Sequence, residues 1–270
     1  MQPDLDQLAR TILQTFSTKK QLDRPTVEYP GFTLDQGYDL AHRIRDLRVA
    51  RGERVVGRKI GGTNRATYHL TGATGPSWGF MYDTTVEELP DGRGRVSLGR
   101  FPLARIEPEL ALHIARKPEP GMSEAQLLDC VDSVCHGFEF VYSPYGDWWV
   151  KGADAASAFG MHMGYRTGPW VDISDDRAGW GEMLRNFTIT LGNQAGILRE
   201  GKGSNALGSP ILALQAVVDE IGDHPDRTPV AVGEIVTTGT LTELMPAMPG
   251  DTWTTTISGA PLTGLRVTLD

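Results

Sequence analysis

Glu107 and Glu109 stand two residues apart in Arg105-Ile-Glu-Pro-Glu-Leu-Ala-Leu-His-Ile114. If this stretch is a strand, alternate side chains share a face. Ala104, Ile106, Pro108, Leu110, Leu112 and Ile114 then make one apolar face, and Arg105, Glu107, Glu109, Ala111 and His113 make the other. Two carboxylates side by side repel each other unless a cation or a proton lies between them. A second strand is predicted over 134–142, where Glu139 shares a face with Cys135 and Gly137. Those small neighbours are expected to leave room beside the carboxylate for something other than protein. Three carboxylates on two strands make an oxygen-rich site for a hard divalent ion, Mg²⁺ or Mn²⁺. The same spacing also suits a solvated strand face on which the glutamates pair with Arg105 or nearby lysines.

Lys59 is the second reactive candidate. Residues 54–63, Arg-Val-Val-Gly-Arg-Lys-Ile-Gly-Gly-Thr, read as a strand running into a glycine-rich turn, where the backbone can approach a ligand closely. A lysine inside an apolar strand either extends its ammonium group to the surface or faces a pocket with its pKa lowered and binds an anion. Gly57, Gly61 and Gly62 favour the pocket. His136 and His162 are candidates for general acid–base work, with hydrogen-bonded core histidines as the alternative. His42 reads as solvated.

These groups must be positioned by a mixed scaffold. Leu5, Leu8, Ile12, Leu13 and Phe16 recur at helical spacing over 4–17. A second helix starts at Thr33, whose Thr33-x-x-Gln36 spacing fits a capping box, with a stripe of Gly37, Leu40, Ala41, Ile44 and Leu47. Residues 1–53 are therefore assigned to a helical N-terminal subdomain and 54–270 to a β-rich catalytic domain. Residues 72–90 read as a loop able to cover a site. Ser123-x-x-Gln126 caps a short helix, and 142–149 is an aromatic loop. Phe187, Ile189 and Leu191 alternate up to Gly192-Asn193, a two-residue hairpin signal. Residues 200–210 form a glycine-rich loop entering a helix, with Ser209 as N-cap and Pro210 at its first position. Ile211, Leu214, Val217, Val218 and Ile221 give that helix its apolar face, and strands are expected at 229–238, 252–258 and 263–269. The class is α+β.

Composition narrows the partners. A net charge of −8 without a basic cluster argues against a nucleic-acid surface. No apolar run approaches the ~18 residues of a spanning helix, and the first residues lack a basic n-region, so no membrane is expected and a cytoplasmic location is. Two cysteines, Cys130 and Cys135, are too few for a disulfide framework.

Four stretches, in order, carry a resemblance: Gly57-Arg-Lys-Ile-Gly-Gly-Thr63, Arg105-Ile-Glu-Pro-Glu109, Leu207-Gly-Ser-Pro210, and Thr238-Gly-Thr-Leu-Thr242 followed by Pro249-Gly-Asp251. The chain resembles the fumarylacetoacetate hydrolase superfamily, and within it the 2-keto-4-pentenoate hydratases and 4-oxalocrotonate decarboxylases. The likeness covers nearly the whole chain. It implies a mixed β-roll core and assembly as a dimer or larger oligomer. It also implies that Glu107, Glu109 and Glu139 are the metal ligands, Lys59 the catalytic lysine and Asp83 the acidic residue of a lid. Gly203, Ser204 and Leu207, together with Gly239 and Thr240, match segments that line the substrate site. Asp154-Ala-Ala-Ser157 departs from the pattern. Asp154 and Ser157 are kept as substrate-site candidates, but Ala155 stands where the group usually has asparagine.

The implied function is a Mg²⁺- or Mn²⁺-dependent enzyme acting on a small 2-oxo acid through an enolate. The first choice is a hydratase of 2-oxo-alkenoates in aromatic catabolism. Carbon–carbon hydrolysis of an acylpyruvate and decarboxylation of an oxalocrotonate-type acid pass through the same intermediate. The alternative of another class is a non-catalytic metal- or 2-oxo-acid-binding subunit associated with a pathway enzyme. Retention of Lys59 and Asp83 argues against it, because a scaffold needs neither.

Overall fold

The computed structural model describes every residue except Met1, Gln2, Lys19, Gly72, Arg100 and Pro102. Its centre is the antiparallel pair Arg105–Ile114 and Val131–Val141, the two longest strands among the described residues. Strict alternation builds this pair. Ile106, Leu110, Leu112, Ile114, Val134, Phe138 and Phe140 are buried in the apolar cores on one face. The register sets Glu107 opposite Glu139 and Glu109 opposite Gly137 on the other.

Around this pair a nine-stranded mixed sheet runs in the order Ser77–Tyr82, Val55–Gly61, Ile235–Thr237, Arg105–Ile114, Val131–Val141, His162–Thr167, Val86–Glu88. Two short strands join it beside the central pair. A second sheet of five strands, Leu198–Lys202, Thr188–Asn193, Thr252–Ser258, Arg266–Leu269 and Arg93–Val96, packs on the apolar face of the first through Trp253, Leu191 and Val267. The helix Pro210–Gly222 is capped by Ser209, and its expected apolar stripe is buried in the main core. These curled mixed sheets with flanking helices are the expected α+β roll.

The N-terminal helices, Leu5–Thr18 and Leu34–Ala50, form as expected, and the Thr33–Gln36 capping box is present. They pack over the helix Gly152–Ser157, where Gly37 lies so close that a Cβ would stand 2.6 Å from the Ala153 carbonyl oxygen. Arg48 stacks on Tyr82 at 3.8 Å and Tyr38 on Trp78 at 4.8 Å. His42 is half-buried, with Nδ1 2.8 Å from the Tyr38 carbonyl oxygen.

Three expectations are corrected. The stretch read as a covering loop contains the short strand Val86–Glu88 and the fully buried strand Ser77–Tyr82. Trp78, Phe80 and Tyr82 alternate into the core there, with Gly79 and Met81 on the other side; its Gly-Pro and Asp punctuation lies only at the two ends. (Gly72, at its start, lies outside the described residues.) Gly192 and Asn193 are strand residues, not the turn: Gly192 pairs with Leu198, and the Asn193 side chain accepts the backbone N–H groups of Ala195 and Ile197 to close a longer loop. The helix Arg177–Asn186 was not anticipated. Only Trp180 and Leu184 are buried in it, too few for a helical stripe to stand out.

Candidate metal centre

The nearest carboxylate oxygens of Glu107, Glu109 and Glu139 all lie within 4.8 Å of one another, and all three residues are buried. Lys59 joins them from the strand Val55–Gly61, which the short strand Ile235–Thr237 separates from Arg105–Ile114, and its Nζ is 3.1 Å from Glu139 Oε2. Alternation explains this as well: Arg58 points into the opposite face, paired with Glu234 at 2.9 Å, so Lys59 must face the glutamates. Each carboxylate is held differently. Glu139 Oε1 is 2.8 Å from His162 Nδ1, and His162 Nε2 is 2.9 Å from Thr85 Oγ1. The Gly239 backbone N–H donates to Glu109 Oε2 at 3.0 Å, while Glu109 Oε1 is buried with no hydrogen-bond partner. Gly239 adopts φ +86°, and a Cβ there would stand 1.9 Å from Thr63 Oγ1, so this donor requires glycine.

Electrostatics show what the cluster lacks. Burial and mutual repulsion push the Glu107 carboxyl up to about 7 and Glu109 well above the ordinary carboxylate range. For Glu139, Lys59 and His162 outweigh burial and hold the pKa below its usual value. Burial alone would lower the Lys59 pKa, but the three carboxylates reverse it and the pKa is raised. The expected lowered lysine is therefore corrected: the glutamates around it hold the Lys59 pKa above its ordinary value, not below it. One cation cannot balance three carboxylates. An all-oxygen donor set, excess negative charge and an orphaned buried oxygen fit a hard divalent ion.

Lys59 and Glu107 line a pocket, while Glu109 and Glu139 lie outside its wall. Gly61, Gly62, Val141, Trp148, Val150, Ala155, Met161, Thr240 and Leu244 form much of the remaining wall. A Cβ on Gly61 would stand 3.3 Å from Lys59 Nζ, so this glycine keeps the ammonium group accessible. The turn Phe159-Gly-Met161 closes over the lysine with positive φ at all three residues. Gly79 lets it approach: a Cβ there would stand 2.3 Å from the Phe159 carbonyl oxygen.

The structure thus brings together Lys59, Glu107, Glu109, Glu139, His162, Gly239 and Thr240. Other candidates lie elsewhere. Asp83 is at the far end of the Lys59 strand pair, its carboxylate accepting from the Arg54 backbone N–H (3.0 Å) and Nε (2.9 Å). His136 belongs to the opposite sheet face, as an even-numbered neighbour of Gly137 must. It bonds the Glu109 carbonyl oxygen and Thr255 Oγ1, both at 2.9 Å, and burial lowers its pKa to about 4. Asp154 accepts the Thr26 backbone N–H and hydroxyl, and Ser157 bonds the Tyr145 hydroxyl, so both anchor the helix that presents Ala155 to the pocket. Gly203 packs against the Leu184 carbonyl, Ser204 is off the pocket wall, and Leu207 buttresses the Gly62–Thr63 turn through a 3.2 Å bond to Thr63. The space expected beside Gly137 is filled by the Tyr165 ring, 2.4 Å from where a Cβ would be. Thr85, Tyr165 and Met161 carry no sequence signal that would have singled them out.

Among known proteins, the 2-hydroxyhexa-2,4-dienoate hydratase of Comamonas testosteroni is 30% identical over 90% of this chain and 89% of its own. The chain belongs to the hydratase and decarboxylase group of the fumarylacetoacetate hydrolase superfamily. A second member, the 4-oxalocrotonate decarboxylase of Pseudomonas sp. (strain CF600), is 27% identical over 88% of this chain and 87% of its own. The same fold occurs in the 4-oxalocrotonate decarboxylase of Pseudomonas putida G7 complexed with magnesium and adipate. Its TM-score is 0.88, with 21% identity over 98% of this chain and 97% of that one. No family model matches the chain. Among the described residues, no helix is long and apolar enough to cross a membrane.

Proposed function

We propose that this protein is a Mg²⁺- or Mn²⁺-dependent lyase that hydrates a 2-oxo-alkenoate, presented as its 2-hydroxy-dienoate form, through an enolate. The observation that supports it most is the joining of Lys59 to three buried carboxylates, with Lys59 and Glu107 on the wall of a pocket. Glu107, Glu109 and Glu139 would hold the ion. When bound, it would act as a Lewis acid toward the 2-oxo oxygen and offset the charge of an acidic substrate in this acidic protein. The apolar wall of Val141, Val150, Met161 and Leu244 excludes water from the reacting chain. Lys59, kept protonated by its neighbours, is the proton donor. The 2-hydroxyl proton first passes to C5, giving the 2-oxo-3-enoate; water then adds at C4 as the C3=C4 electron pair moves to the 2-oxo oxygen. Lys59 gives a proton to C3 as that enolate collapses, and regains one from the added water.

The Comamonas relative is a hydratase and several others are decarboxylases, so decarboxylation is the second reading, with hydrolysis of an acylpyruvate behind it. The reading carries with it a cytoplasmic homo-oligomer, dimer or larger, association with another enzyme of the pathway, and a catalytic domain beginning near residue 54. Incubating the Mg²⁺- or Mn²⁺-loaded protein with 2-hydroxy-dienoates, an oxalocrotonate and acylpyruvates, then weighing the products, tests the reaction. A product heavier by one water supports hydration. Loss of CO₂ or release of pyruvate replaces it with one of the other readings. No turnover of any substrate leaves the non-catalytic binding subunit.

A further inference from the structure

The two oxygens of Glu139 have separate partners. Oε2 faces Lys59 Nζ at 3.1 Å without a hydrogen bond of good geometry, so it keeps a lone pair to offer. Oε1 is taken by His162 Nδ1 at 2.8 Å. Because a carboxylate only accepts, Nδ1 carries the proton. The ring is fixed on its far side as well, with Nε2 2.9 Å from Thr85 Oγ1, and Thr85 sits in a tight turn where its carbonyl accepts the Tyr165 backbone N–H at 2.8 Å. His162 itself is on a paired strand, opposite Val141, and is buried. Glu109 repeats the pattern by another route: Gly239 N–H holds Oε2 and leaves Oε1 bare.

We propose that His162 is a positioning residue that restricts Glu139 to offering a single oxygen, and that the site thereby selects small octahedral ions over Ca²⁺. The proposal rests on the metal-centre reading above. Ca²⁺ takes six to eight oxygens and readily uses both oxygens of a carboxylate, whereas Mg²⁺ demands near-ideal six-coordination at shorter distance. A cluster in which two of three carboxylates each have one oxygen committed elsewhere offers few ligands and keeps positions open for a chelating 2-oxo acid. Residues that orient metal ligands in this way commonly change metal affinity by ten- to a hundredfold when replaced. This role is separate from acid–base catalysis, since His162 reaches the pocket only through Glu139.

The test compares His162→Asn with His162→Gln by titrating Mg²⁺ and Ca²⁺ separately into metal-free protein and following the heat of binding. Asparagine places its amide N–H where Nδ1 stood and preserves donation to Glu139. Glutamine places it nearer the Nε2 position, toward Thr85, and frees Glu139 Oε1. The two side chains have the same polarity, so a merely structural role would affect both alike. We expect the Ca²⁺-over-Mg²⁺ affinity ratio to rise about tenfold in His162→Gln and to stay within about twofold of the parent in His162→Asn. An unchanged ratio in His162→Gln, or an equal shift in both variants, overturns the proposal. Thr85→Val provides a further check that leaves the ring in place: it loosens the far side, and a ratio unmoved or shifted toward Mg²⁺ counts against the proposal. If the parent protein binds neither ion, or binds them equally well after Glu109→Gln, the metal-centre reading itself fails.

Discussion

Protons and the metal should compete for the same oxygens, and the competition has a calculable size. With the Glu107 carboxyl at about 7, going from pH 8 to pH 6 takes that group from mostly ionised to mostly protonated. An ion that needs the carboxylate must then displace a proton, and the apparent affinity falls about tenfold through this group alone. Glu109, raised further by burial and its anionic neighbours, makes the dependence steeper. Glu139 adds nothing in this range, because its pKa is lowered and it remains ionised. The sign for the metal-free protein is the reverse of the usual carboxylate case. A folded pKa raised above the unfolded value favours the protonated fold, so this contribution to stability is present at low pH and lost as pH rises through about 7. Saturating Mg²⁺ should therefore raise the melting temperature more at pH 8 than at pH 6. Mn²⁺ titrations in two buffers of different ionisation heat would measure affinity and count released protons together. Equal affinities at the two pH values, with no proton released, would refute the assignment of these carboxylates as ligands.

Other residues give sharper single tests. Lys59→Met should abolish most of kcat, and Lys59→Arg should retain substrate binding while losing rate, because an arginine does not give up its proton; near-normal kcat in Lys59→Arg would make the residue a binding cation only. Gly137→Ala would drive a Cβ to 2.4 Å from the Tyr165 ring, and overpacking of this kind costs about 1–3 kcal/mol, measurable by urea denaturation; no loss of stability would show that the ring moves aside freely. Asp83→Asn, at an exposed turn bonded to Arg54, should leave kcat/KM within about twofold, and a large loss would return this residue to the site. Ala155→Asn should raise activity on 2-oxo-pentenoate by adding an amide to the pocket wall; unchanged rate and preference would mean that this position does not influence the site.

The parts of the fold set by periodicity and capping were legible in the sequence. The Arg105–Ile114 strand, the capping boxes at Thr33 and Ser123, and the Ser209–Pro210 helix start all depend on neighbouring residues alone. Alternation also placed the three glutamates on one face. What failed depended on contacts distant in sequence. Asp83 follows the strand that pairs with the Lys59 strand, but the antiparallel register sets Lys59 opposite Gly79 and leaves Asp83 beyond Tyr82, at the Val55 end. Cys135 and Gly137 suggested a void, yet Tyr165 fills the space beside the glycine from the next strand. The direction of the Lys59 pKa could not be read from an apolar strand, because its cause is the number of carboxylates that the fold gathers around it. His136 and His162 look alike in sequence; only sheet face separates the core histidine from the one that bonds Glu139.

The most direct test of the central account is deuterium exchange at C3 of a saturated 2-oxo acid, followed by proton NMR in D₂O. Such a substrate cannot be hydrated, decarboxylated or cleaved as the alternatives require, so exchange reports enolate formation alone. The account predicts rapid loss of the C3 proton signal with Mg²⁺ or Mn²⁺. It predicts none after chelation, and loss reduced by at least about a hundredfold in Glu109→Gln and Lys59→Met. Exchange that persists at the parent rate in either variant, or that ignores removal of the metal, would contradict it.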